Sequence, residues 1–154
     1  MTPILIALSY WTHALATVIF IGHFLLLALI YLPVLSKNGD GLALSELSKR
    51  SRPWLYASMT ILAITGTYLT IADPNYLGLG NFSNFWGVMM LVKHILIVGM
   101  FLMGFWFNAI MRVGPLMSSN TGAAKAIARF RWYNNAMAIL GVLVLLLTAL
   151  AQVE

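Results

Sequence analysis

The sequence predicts an all-α integral membrane protein, a single four-helix bundle over residues 1–154 with both termini outside, and three observations carry that expectation. Of the 154 residues 61% are hydrophobic and only 8% charged, against about 25% charged in soluble domains. Mean hydropathy is +0.89. Four apolar stretches, residues 4–35, 53–71, 86–111 and 135–153, each come near or above the roughly 20 residues that cross a hydrocarbon core. Lipid leaves no backbone group unpaired, and the alternation of a barrel strand is missing, so helices are expected.

The first stretch, Ile4 to Leu35, is too long for a signal-peptide core, lacks a basic leading region and has no small-residue cleavage site, which reads as a retained anchor. At about 1.5 Å per residue it outruns a bilayer of roughly 30 Å, so the helix is expected to tilt or to emerge past Tyr31 to Pro33. A polar connection, Ser36 to Arg52, leads to the second stretch, Pro53 to Ile71. After a second connection, Ala72 to Phe85, come the third stretch, Trp86 to Met111, and the fourth, Asn135 to Val153.

Basic residues give an orientation. Lys37, Lys49, Arg50 and Arg52 fall in the first connection and Arg112, Lys125, Arg129 and Arg131 in the third, whereas the second carries Asp73 and no Lys or Arg. By the positive-inside rule the first and third connections face the cytoplasm of an inner (plasma) membrane, and both termini face outward. The +5 net charge is thereby explained by topology, and nucleic acid is not an expected partner. The absence of cysteine removes disulfides, thiolate metal sites, iron–sulfur clusters and covalent haem attachment. No phosphate-binding, dinucleotide, zinc-protease or nucleophile-elbow motif occurs, and the apolar stretches hold no carboxylate.

Three histidines and one lysine remain inside the apolar stretches, where ionisable groups are expensive and therefore functional candidates. His13 on the first helix and His94 on the third lie at similar depth on helices running the same way. Neutral imidazoles so placed are the axial ligands of a b-type haem, and each needs a partner on its second ring nitrogen. Ser9 and Thr17, four residues either side of His13, are candidates for that partner. Gly66 and Gly87, with Ala14 and Ala16, offer flat space at this level, although small residues also serve close helix packing. Lys93 either snorkels outward or pairs with a haem propionate, and the two are compatible. Ten residues along the helix from His13, about 15 Å deeper, stands His23. With Met100 and Met103 near its level, His23 is a candidate for a soft copper site.

The run from His13 to Gly22, followed by Tyr31-Leu-Pro33, resembles the opening helix of the copper-resistance protein D (CopD-like) membrane domain and of the related HemJ-type protoporphyrinogen oxidases. Lys49-Arg50, Thr65-Gly66, Trp86-Gly87 to Lys93, and Asn135 to Gly141 extend the resemblance over most of the chain. It implies copper handling on the one side and, on the other, a haem-dependent oxidoreductase in which His13 and Lys93 match the functional His and Lys. Phe20 replaces the usual Trp, His23 the second Gly, and no Arg follows Pro33. Those departures turn the reading away from the oxidase, and His94 beside Lys93 turns it toward a bis-histidine cytochrome.

The expected function is thus that of a membrane b-type cytochrome binding one haem between the first and third helices and transferring electrons within the membrane, to a quinone or a larger respiratory or photosynthetic complex. The alternatives are a CopD-like copper-handling protein using His13, His23 and methionines, and a cofactor-free accessory subunit of a larger assembly.

Overall fold

The computed structural model describes residues 3–37, 41–78, 81, 83–107 and 123–152. The end of the third apolar stretch, to Met111, and Arg112 and Val153 lie outside the described residues. Among the described residues the chain is helical with no strand: α1 (Pro3–Leu26), a wide π turn (Leu27–Tyr31), α2 (Leu32–Lys37), α3 (Gly41–Ala72), α4 (Phe85–Phe105) and α5 (Ala123–Leu150). Four helical spans are long and apolar enough to cross a membrane: Pro3–Leu35, Leu42–Ala72, Phe85–Phe105 and Ala124–Leu150.

The helices outrun the apolar stretches. The polar connection expected from Ser36 to Arg52 is mostly helix, because α3 begins at Gly41. Leu44 is fully buried and Leu47 packs on the same core, so an i, i+3 apolar edge continues the helix through the charged segment. Glu46 and Arg50 face each other one turn apart at 3.8 Å, an exposed pair of little energetic weight. α5 likewise starts twelve residues before Asn135. Its buried stripe runs Ala126, Phe130, Tyr133, Asn134, Met137, Ala138 and Val144, a helical period that begins well ahead of the apolar stretch.

Two local devices shape the ends. The π turn closes with the Leu32 amide donating to the Leu27 carbonyl, one residue before Pro33, whose ring and missing N–H interrupt the ordinary ladder. α4 opens on Asn84, whose side chain accepts from the Gly87 amide at 2.9 Å and donates to the Asn75 carbonyl at 3.0 Å, tying helix to connection.

α1 packs closely along α3 and α5, and α4 along α5. At Gly141 a Cβ would lie 2.8 Å from Ile21 Cγ2, so only glycine lets α5 approach α1 this closely. Leu27 and Leu32, Leu44 of α3, Phe107 beyond α4, and Ala126 and Phe130 of α5 share one core. The basic segments that flank these residues, Lys49 to Arg52 and Lys125 to Arg131, therefore gather at one end of the bundle. Outward, the helices present apolar side chains such as Ile4, Leu29, Leu42 and Leu102, all more than 60% exposed, a surface suited to lipid.

Candidate functional site

An imidazole inside a lipid-facing bundle needs its ring nitrogens accounted for, and the structure does so for two of the three histidines. His13 of α1 reaches across to α3, where its Nδ1 lies 2.8 Å from Thr65 Oγ1. The Thr65 hydroxyl has one hydrogen, and it points at the Ile61 carbonyl at 2.6 Å. With that hydrogen on the Ile61 carbonyl, Oγ1 is assigned as the acceptor and Nδ1 of His13 as the donor. The His94 Nδ1 lies 2.6 Å from the Met90 carbonyl one turn earlier on α4, and a carbonyl only accepts, so this Nδ1 also carries the proton. Both imidazoles are thus held in the tautomer that leaves a lone pair on Nε2, the form of a metal ligand.

The expected partners on α1 itself do not take this role. Thr17 Oγ1 donates to the His13 carbonyl at 2.8 Å, and His13 Nδ1 meets Thr65 and not Ser9. A hydroxyl four residues away on a helix finds its own carbonyl first, whereas a neighbouring helix can aim one across. The signal was present in the sequence as Thr65-Gly66, the pair on α3 at the depth of His13.

Gly66 stands where expected, with a more specific role. A Cβ there would come 3.2 Å from His13 Cε1, so the missing side chain makes room for the imidazole edge itself. Gly87 is buried at the third position of α4, and its observed task is to donate its amide to the Asn84 cap. Lys93 is half-buried on α4 beside His94 in the chain.

His23 stands apart from this level. It lines a groove between α1 and α3 with Gly22, Ser51 and Trp54, and its ring meets Phe24 edge-on with centroids 5.3 Å apart. No methionine lines that groove; Met100 is buried in the core and Met103 packs against it. The structure therefore does not bring His23, Met100 and Met103 into one site. Among the described residues no three His, Cys, Asp or Glu side chains gather as ligands of a metal ion.

The donor set fits a haem better than a bare ion. Two imidazoles held at Nδ1, with no hydrogen bond at Nε2 among the described residues, are chemically compatible with a flat group that brings its own four nitrogen ligands. Comparison with known proteins adds no constraint: no family model matches the chain, and no curated protein or solved structure is significantly similar to it.

Proposed function

We propose that this chain is a b-type cytochrome-like membrane protein that holds one haem between α1 and α4 through Nε2 of His13 and His94 and passes single electrons within the membrane. The observation that supports the reading is that both imidazoles are held through Nδ1, His13 by Thr65 Oγ1 and His94 by the Met90 carbonyl. Bound there, the haem supplies one-electron chemistry at an iron whose potential follows its ligands and surroundings. The protein's own part is to fix both rings, exclude water with apolar helices and set a positive charge, Lys93, nearby. A quinone or a larger respiratory or photosynthetic complex is the proposed electron partner.

The proposal includes the inner (plasma) membrane with both termini outside, supported by the basic residues at one end of the bundle. A cysteine at Asn75 should react with an impermeant thiol reagent in intact cells and one at Ala124 should not. The reverse labelling pattern would invert the orientation.

The deciding experiment is an absorption spectrum of protein purified from a haem-sufficient host, expected to show a six-coordinate, low-spin b-haem at one per chain. His13→Ala and His94→Ala should each abolish the low-spin form, and the double variant should lose little more than either alone. Absence of haem from the wild type refutes the cytochrome reading. Dependence on His13 alone would favour a HemJ-like oxidoreductase with Lys93 as the second functional group.

A further inference from the structure

His23 is the one intramembrane histidine left without work by the haem reading. Its imidazole is half-buried and has no hydrogen-bond partner among the described residues. It faces an open groove of about 360 Å³ between α1 and α3. That volume falls within the range of small-molecule sites, roughly 300–1,000 Å³.

The walls of the groove describe what fits it. Val18 and Leu26 are 68% and 48% exposed and open it sideways toward the apolar surround, while Trp54, 67% exposed, stands where the polar start of α3 meets its apolar stretch. Gly22 keeps the floor clear, since a Cβ there would meet nothing within 4 Å. The polar groups are His23, the indole of Trp54 and the Ser51 hydroxyl, which donates to the Ser48 carbonyl at 3.2 Å and keeps its lone pairs free. No Lys, Arg, Asp or Glu lines the groove. A phosphate headgroup would find no counter-charge in it, and an acyl chain alone would leave the imidazole unpaired. A neutral, planar head bearing a carbonyl acceptor, carried on an apolar tail, answers both conditions.

We propose that this groove docks the head of a lipophilic quinone, with the His23 imidazole donating to a quinone carbonyl and the Trp54 ring flanking the head. The choice of a quinone among neutral carbonyl ligands rests on reading the chain as a one-electron carrier; the groove and its unpaired imidazole do not. Docking here places the quinone at the end of the bundle away from His13 and His94, beside the aromatic core.

The test is equilibrium dialysis of the purified protein in detergent against decylubiquinone, with phosphatidylglycerol as the competing probe. Saturable binding of one decylubiquinone per chain is expected. It should weaken at least tenfold in both His23→Phe, which removes the donor, and Gly22→Leu, which fills the floor and leaves His23 in place. Phosphatidylglycerol should not displace it. No saturable binding, equal binding by both variants, or displacement by phosphatidylglycerol overturns the proposal. The low-spin spectrum reports independently on the haem: quinone binding to a haem-free chain sinks only the cytochrome reading, and a haem-loaded chain without quinone binding sinks only this one.

Discussion

The two ends of the bundle are built by opposite rules. Toward the basic end Phe20, Phe24, Phe101, Phe107, Phe130 and Tyr133 interlock, with Phe24 meeting Phe20 and Tyr133 edge-on at 5.3 and 5.8 Å and Phe107 stacked on Tyr133 at 4.0 Å. Toward the other end, at the level of His13, the interior is polar and thinner. His13, Thr65, Gly66, Lys93 and His94 are all half-buried, and no residue of α4 from Val88 to Gly99 is buried. Aromatic rings fill space by themselves, and the edge-to-face pairs add about 0.5–1.5 kcal/mol each beyond burial. An imidazole level fills it only in part and keeps directed lone pairs instead. The comparison teaches that the aromatic packing and the proposed haem site fall at different points of one helix, seven to eleven residues apart on α1.

The largest effect that would break this division is at the aromatic end. Phe24→Ala removes a side chain 2% exposed from the centre of the ring cluster, and buried Phe→Ala changes cost about 3–5 kcal/mol. Its unfolding midpoint in detergent should fall sharply while any haem spectrum at a permissive temperature stays low-spin. A loss of ligation in a still-folded Phe24→Ala protein would show that the two ends are not separate.

A smaller effect is expected from Thr65→Val, which leaves the His13 Nδ1 proton unpaired at a cost of about 1–3 kcal/mol. The hydrogen bond enriches the imidazole in electron density and so favours oxidised iron; its removal should raise the midpoint potential, and Thr65→Ser should restore it. A potential that ignores the hydroxyl would place the tautomer control elsewhere. The smallest shifts are expected from the outer charges. Lys93→Met should lower the midpoint potential and Asp73→Asn raise it, since a nearby positive charge favours the reduced form. Shifts of the same sign in both would mean that the Lys93–Asp73 pair acts through structure.

Much of this was legible in the sequence. The four apolar spans follow from hydropathy, a local property. What escaped were features set by contact between helices. Thr65 is an ordinary threonine until α3 is laid against α1, and Gly66 looks like generic packing until a ring edge is found against it. The helical starts of α3 and α5 were hidden for a different reason. Charge obscured a buried stripe, Leu44 on one and Ala126 and Phe130 on the other, that a search for apolar windows averages away. At Gly87 the backbone amide donates to the Asn84 side chain, a local cap three residues apart.

The hydroxyl of Thr65 sits in a line of hydrogen bonds that runs from His13 Nδ1 through Oγ1 to the Ile61 carbonyl. A helical carbonyl has no proton to give and does not take one near neutrality, so the line is a dead end for proton conduction. The same holds at His94, whose Nδ1 ends on the Met90 carbonyl. Two polar groups inside an apolar bundle are thereby tied down on carbonyls that cannot pass a proton onward along either helix.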